Sequence, residues 1–387
     1  MHRVAVLLVI AEYREWWRER ECPQLPNAAT KIGGRHSSIT RDRRGRFRRL
    51  VRAVELTKPF TCEVLDVPTP HAPNGYVVVD VQRVGLCGTD VEFFRGEMPY
   101  LHDGHAHFPM RLGHEWMGTV TRLGEGVDPL WLGRRVTGDT MLGCGSCRRC
   151  RSGHQHVCEN RMEVGVRENF PGALGEQLSV PASSLHALPD NVDDAMGAMV
   201  EPGGNALRAV LGASLQPGER LLIMGPGTIG LLAGLFAKAR GVEVHLAGIT
   251  ESSIAFAQTF DFAGVWHLDN LPALEWDAII NATSDPMLPS RALDLVEPGG
   301  RVVYIGIGTD ESIIDSRSLT LKDVTAVGIL SASPALDETI ALYSSGSVDP
   351  RALVAATVGF DEVVGVLAGE RPVGSGPGPK IQVDTRR

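Results

Sequence analysis

Residues 221–240 read LLIMGPGTIGLLAGLFAKAR, and the two ends of this stretch follow different rules. It begins as an apolar run short enough for a buried strand and ends as small and apolar residues at helical spacing. Between them Gly225, Gly227 and Gly230 satisfy G-x-G-x-x-G. Alone the motif is weak, but at a strand-to-helix turn each glycine has a task. The first permits a tight turn, the second lets a pyrophosphate approach the backbone, and the third lets helix and strand pack closely. Free N–H groups at the helix start favour an anion. The stretch therefore predicts a dinucleotide site built from Gly225, Gly227, Thr228, Ile229 and Gly230.

The segments downstream alternate in the same way. VEVHLAG (242–248), DAIINAT (277–283) and RVVYIGIG (301–308) read as strands, and SSIAFAQTF (252–260) and RALDLV (291–296) read as helices. Strands and helices alternating at this spacing argue for an α/β unit with a doubly wound parallel sheet. The acidic residue that usually follows the glycine motif by about 20 positions is missing. The second strand ends Ala247-Gly248-Ile249-Thr250, and the nearest carboxylate is Glu251. Thr250 is expected at the cofactor. Nothing at the strand end repels a 2′-phosphate and no Arg follows to bind one, so NAD and NADP both stay open.

Upstream the pattern is all-β. VRAVEL (51–56), CEVLDV (62–67) and YVVVDVQRVG (76–85) are strand-like and separated by clusters such as PTPHAPNG, and GTVTRLG, RRVTGD and EQLSV continue the series. The stretch DDAMGAMVEPGGNALRAVLGAS (193–214) reads as helical segments broken at Pro202 and two glycines. The tail holds a helix DETIALYSSG and ends on KIQVD. The expected division is a basic, disordered extension at 1–50, a catalytic domain at 51–204 and 335–387, and a dinucleotide domain at 205–334.

Composition narrows the function classes. The chain has 387 residues, 43% hydrophobic and 22% charged, which suits buried cores. No run approaches the roughly 18 apolar residues of a membrane span, and the apolar stretch 4–11 makes a poor signal peptide, so a cytoplasmic protein is expected. Residues 1–52 carry a net charge of +8 and the remainder −16. The acidic body argues against a nucleic-acid surface, and the arm RDRRGRFRRLVR lacks the interleaved aromatics that stacking on bases would need.

Four of the 7 cysteines, Cys144, Cys147, Cys150 and Cys158, lie within GCGSCRRCRSGHQHVC. Thiolates at two short separations and one longer one close tetrahedrally around a zinc, with Gly and Ser letting the backbone curl. Such a site has no open position, so it is structural. The chemistry must lie elsewhere. Cys87 in GLCGTD, His114 and Glu115 in GHEWMG, and Glu201 in VEPGG supply ligand types that suit a catalytic zinc. Their separations are long, and as bare residues a buried cysteine or a satisfied core histidine explains them equally well.

GLCGTD, GHEWMGTVTRLGEGV, the four-Cys loop, VEP and GPGTIG stand in the order found in zinc-containing medium-chain alcohol and polyol dehydrogenases, and the chain from about Val51 to Val383 resembles that family. The resemblance implies a chaperonin-10-like, partly open β-barrel catalytic domain beside a Rossmann domain, two zincs per chain, NAD or NADP, and an active site between the two domains. It implies Cys87, His114 and Glu201 as catalytic zinc ligands. Glu115 becomes a carboxylate that approaches the metal, Thr89 the hydroxyl that takes the substrate proton, and Asp90 the group that orients the metal-binding histidine. Glu at 201, where simple alcohol enzymes have Cys, implies the sorbitol, threonine, glucose and cyclitol dehydrogenase-like branch. One departure is Glu92, which stands where many members have a relay histidine.

The expected function is hydride transfer from a secondary alcohol (a polyol, sugar, cyclitol or amino alcohol) to NAD(P). The expected assembly is a homodimer or homotetramer, with no nucleic-acid or membrane partner. Two rivals are weighed against it. A zinc-stabilised nucleic-acid-binding protein has no need of GHE, Glu201 and GPGTIG together. A zinc-free quinone or enoyl reductase of the same fold lacks the four-Cys lobe and the GHE ligand.

Overall fold

The computed structural model describes residues 39–41, 47–308 and 310–387. Most of the expected N-terminal extension, residues 1–38 and 42–46, lies outside the described residues. Within the described part the strand Phe47–Lys58 pairs with Ile39–Arg41 on one side and Thr61–Pro68 on the other. Order thus starts ahead of Val51, where the apolar alternation begins.

The β-rich part is built on the strand Tyr76–Gly85, whose Val77, Val79, Val81 and Val84 enter one apolar cluster. That strand pairs antiparallel with Glu115–Leu123, with Gln177–Pro181, and with Lys380–Asp384 from the far end of the chain. The seven-stranded sheet has Leu185–Ala187 at one edge and Val354–Val358 at the other, so its strand path does not close. Every residue of Lys380–Asp384 is buried, although three of the five are polar or charged. Such a strand must find internal partners for each of those groups.

The second sheet has six strands in the order Gly264–His267, Glu243–Gly248, Arg220–Met224, Trp276–Asn281, Val296–Tyr304 and Thr325–Gly328. Every pairing is parallel. Numbered along the chain, the order is 3-2-1-4-5-6, with its reversal between Arg220–Met224 and Trp276–Asn281. In open α/β sheets ligands bind at such a reversal, outside the carboxyl ends of the strands. The glycine turn follows directly from Met224, so it sits at that point.

One element differs from its sequence reading. Val200–Ala213 is a single helix running through Pro202, Gly203 and Gly204. The helix begins only two residues before Pro202, so the proline falls in the first turn, where a missing N–H breaks no intrahelical bond. The glycines are needed for close packing. A Cβ on Gly204 would come within 2.8 Å of the Ala332 Cβ, and one on Gly203 would collide with the Tyr343 hydroxyl. This helix also crosses the expected boundary at 204, and its Ala206, Leu207 and Val210 share a cluster with Leu231, Leu232 and Phe236 of Thr228–Ala239. Among the described residues no helix is long and apolar enough to cross a membrane.

Candidate metal centre and cofactor turn

Cys87 caps the helix Gly88–Arg95, and its own N–H donates to Asp90 Oδ2 at 2.9 Å. The other oxygen of Asp90 accepts from the Gly113 N–H at 3.2 Å. Asp90, fully buried, therefore ties the Cys87 turn to the turn that carries His114. Gly113 has φ of 97°, a left-handed conformation that favours glycine, and the Leu174 amide packs where a Cβ would stand. His114 Nδ1 lies 3.7 Å from Asp90 Oδ1 and is a buried ring nitrogen with no hydrogen-bond partner. Burial alone would lower the His114 pKa, but Asp90, and Cys87 beyond it, hold it well above its ordinary value. Burial raises the Asp90 pKa, with His114 opposing. The Thr89 side chain is half-buried in the first turn of the same helix.

Ligand atoms of Cys87, His114 and Glu115 lie within 4.8 Å of one another. Glu201 is not within that distance of all three. It is buried at the start of Val200–Ala213, where Oε1 accepts from Asn205 Nδ2 at 2.9 Å and lies 3.5 Å from the Thr140 hydroxyl. The same hydroxyl lies 3.2 Å from the His114 carbonyl, so Thr140 bridges the two segments. Burial pushes the Glu201 pKa up to about 7 while the charge of His114 pulls it down.

The sequence reading missed Lys380. Its Nζ, 3% exposed, lies 2.7 and 2.8 Å from the two oxygens of Glu115 and 3.0 Å from the Leu86 carbonyl. Burial would discharge it, yet the Glu115 carboxylate raises its pKa above the usual lysine value. The available signal was a lysine opening a strand with no exposed residue. Asn205 and Thr140 carried no comparable mark.

Sulfur, imidazole and carboxylate groups gathered within 4.8 Å match the donor set of a catalytic zinc, and the residues present therefore fit that metal. The four-cysteine loop fits the metal in another way. Tetrahedral zinc with Zn–S of about 2.3 Å implies S···S edges of about 3.8 Å. Cys147 and Cys158 are 3.8 Å apart, Cys144 and Cys150 are 4.0 Å apart, and all four sulfurs lie within 4.8 Å of each other without a disulfide. The Ser146 hydroxyl and neighbouring amides lower the Cys144 thiol to about 6. These are the two metal-ligand groups among the described residues. His102, His105 and His107 form no third one. His102 and His107 are exposed, His105 lies 2.9 Å from Glu168 Oε1, and the His107 amide donates to Asn169.

At the glycine turn each position has a distinct constraint. Gly225 has φ of 97°, and a Cβ there would meet Thr283 at 2.7 Å. A Cβ on Gly227 would meet nothing within 4 Å, so this face is open to a ligand, whereas one on Gly230 would collide with the Gly225 carbonyl. Thr228 and Ile229 are half-buried in the first helical turn. Thr250 caps Glu251–Ala257, its Oγ1 accepting from the Ser253 N–H and donating to Ser253 Oγ at 2.6 Å. The turn therefore offers free amides and an uncovered backbone at the sheet's reversal, which fits a pyrophosphate.

Comparison with known proteins gives the same two parts. Residues 73–190 match the alcohol dehydrogenase GroES-like domain, and residues 228–345 match the zinc-binding dehydrogenase domain. The L-threonine 3-dehydrogenase of Idiomarina loihiensis is 31% identical over 275 residues, covering 68% of this chain and 79% of that protein. That of Escherichia coli is 30% identical over the same extent. Among solved structures, acetophenone reductase from Geotrichum candidum, in complex with NAD, superposes with a TM-score of 0.74 at 26% identity, covering 87% of this chain and 97% of that one. An Escherichia coli alcohol dehydrogenase holding NADH superposes with a TM-score of 0.80 at 24% identity, covering 87% of this chain and 99% of that one.

Proposed function

Since this chain belongs to the zinc-containing medium-chain alcohol dehydrogenase family, with a GroES-like partly open barrel and a Rossmann sheet, we propose that it oxidises a secondary alcohol of the polyol, sugar, cyclitol or amino-alcohol class with NAD(P). The observation that carries this reading is the cluster of half-buried Cys87 with buried His114 and Glu115, with the buried Glu201 joined to the His114 segment through Thr140, in a chain that also carries the open glycine turn. Zinc bound here would supply Lewis acidity toward a substrate oxygen, and a bound nicotinamide would supply the hydride acceptor.

The chain's own residues divide the remaining work. Cys87, His114 and Glu201 hold the metal, and Glu115 is the carboxylate kept close to it by Lys380. Asp90 anchors both ligand turns and faces His114 Nδ1, leaving the other ring nitrogen for the ion. Thr89, three residues before Glu92 on one helix, takes the substrate proton. Glu92, its pKa raised by burial and then by Glu97, stands at the position of the relay histidine, so proton exit beyond Thr89 is open to Glu92, water or the cofactor's ribose hydroxyls. Cys144, Cys147, Cys150 and Cys158 hold the structural zinc. Gly225, Gly227, Thr228, Ile229, Gly230 and Thr250 hold the cofactor.

We read residues 51–204 with 335–387 as the catalytic domain and 205–334 as the dinucleotide domain. We also infer a cytoplasmic homodimer or homotetramer. Supporting self-association, the strand Thr325–Gly328 is a solvent-facing sheet edge, and Ile307, Ile313 and Leu321 nearby are 72%, 88% and 86% exposed.

The test is a panel of polyols, sugars, cyclitols and amino alcohols, including threonine, given to zinc-replete protein with NAD or NADP while reduced nicotinamide is followed by absorbance. Turnover of at least one secondary alcohol, abolished by removal of the catalytic zinc, is expected. No turnover across the panel overturns the reading.

A further inference from the structure

The strand Glu243–Gly248 ends where a dinucleotide fold usually places its carboxylate, which does two things at once. It hydrogen-bonds the 2′-hydroxyl of NAD and repels the 2′-phosphate of NADP. Here the strand end is Gly248, followed by the exposed Ile249 and Thr250.

The structure gives a packing reason for this glycine. Gly248 and Pro226 are both buried and lie against each other. A Cβ on Gly248 would stand 2.8 Å from Pro226 Cγ, 3.1 Å from its Cδ and 3.2 Å from Ile254 Cγ1. A proline ring has no far end that can swing aside, and Pro226 is held inside the glycine turn itself, between Gly225 and Gly227. The position that would read the ribose is thus closed by the loop that would cradle the pyrophosphate.

Past the strand end the nearest carboxylate is the exposed Glu251, three residues beyond Gly248 in the first turn of the next helix. Between Arg240 and Arg291 the chain contains neither Lys nor Arg, and Arg291 is engaged by the Leu268 carbonyl and Asp269. A 2′-phosphate meets no carboxylate on the strand end itself and no guanidinium from this stretch of chain.

Resting on the dinucleotide reading above, we propose that the Pro226–Gly248 contact makes this chain dual in cofactor use, binding NADP and NAD with affinities within about tenfold of each other, where a strand-end carboxylate would separate them by about ten- to hundredfold.

Calorimetric titration of the zinc-replete protein with NAD and with NADP reads this without turnover. Wild type is expected to bind both within about tenfold. Gly248→Asp alone should weaken both by more than about tenfold, because the new side chain displaces Pro226 from the turn. Pro226→Ala combined with Gly248→Asp should recover NAD and favour it over NADP by at least about tenfold. If Gly248→Asp does not fold, Gly248→Ala with and without Pro226→Ala asks the same question with a single methyl.

A wild type that prefers one cofactor by more than about tenfold overturns the proposal. If that preference is for NAD and Glu251→Gln abolishes it, the missing carboxylate is Glu251. Gly248→Asp that becomes NAD-selective with undiminished affinity overturns the role of Pro226. Binding of neither dinucleotide instead overturns the cofactor reading beneath both.

Discussion

The two cysteine-bearing sites are built on opposite principles. The four-cysteine loop draws its ligands from fifteen consecutive residues, and its sulfurs already stand near the spacing zinc demands. The other site gathers Cys87 from a helix cap, His114 from a glycine turn and Glu115 from a barrel strand, and the proposed fourth member, Glu201, comes from a helix that crosses into the second sheet's core. Its polar groups are buried and held by neighbours that ligate nothing: Asp90, Thr140, Asn205 and Lys380. A contiguous loop can hold a metal whatever the surrounding fold does, and so serves stability. A site assembled from distant elements is as precise as the fold is, which catalysis requires.

Breaking each site with one cysteine sharpens that contrast. Cys87→Ser should lower kcat/KM on the order of a thousandfold or more, since the several kcal/mol that a Lewis acid contributes to the transition state goes with the metal. Its melting temperature should change little and one zinc should be lost. Retention of full rate sinks the assignment.

Lys380→Met comes next in size. It leaves Glu115, 1% exposed, without its ion-pair partner, and breaking a buried pair from one side costs about 3–5 kcal/mol. Denaturant titration should record that loss, and the double variant Lys380→Met with Glu115→Gln should recover much of it, because no unpaired charge then remains. If the single variant is as stable as wild type, Lys380 is not holding a charged Glu115.

Cys150→Ser tests the other side of the comparison. Metal analysis should fall from two zincs per chain to one, and the lobe around Cys144–Cys158 should become the first region cleaved by protease. Turnover should fall by no more than about tenfold, since this metal has no open position. A loss as deep as that of Cys87→Ser would mean that the two sites are not independent.

The same division governs how much could be read from the chain. Gly225, Gly227 and Gly230 were readable because their constraints are local: a tight turn, an open face, a close crossing. The four cysteines were readable by spacing. Pro202 with Gly203 and Gly204 was misread as a break, because what stabilises that helix is Tyr343 and Ala332, more than a hundred residues away in the chain. Lys380 pairs with Glu115 across 265 positions. No periodicity encodes such a partner, and only the oddity of a charge in a wholly buried strand points to it. The contact of Pro226 with Gly248 belongs to the same class, for the sequence displays the missing carboxylate but not the ring that excludes it.

The smallest effect concerns a polar clamp outside both sites. His186, on Leu185–Ala187, places Nδ1 2.6 Å from Asp337 of the helix Leu336–Ser344, with Nε2 3.8 Å from Asp139. Asp139 also accepts from the Ser333 hydroxyl. Burial would lower the His186 pKa, but Asp139 and then Asp337 raise it above the ordinary 6.5. The folded state therefore holds a proton that the unfolded chain has released. This contribution is complete below pH 6.5 and is lost as pH rises through the higher folded value. Asp337 is 82% exposed, so solvent screens its share, and the whole is on the order of 1 kcal/mol. His186→Gln keeps a donor but cannot titrate. Wild type should lose stability relative to this variant as pH rises from 6.5 through the raised folded value in urea titrations. Parallel curves across that range would mean that the barrel edge and the tail helix are joined by packing rather than by charge.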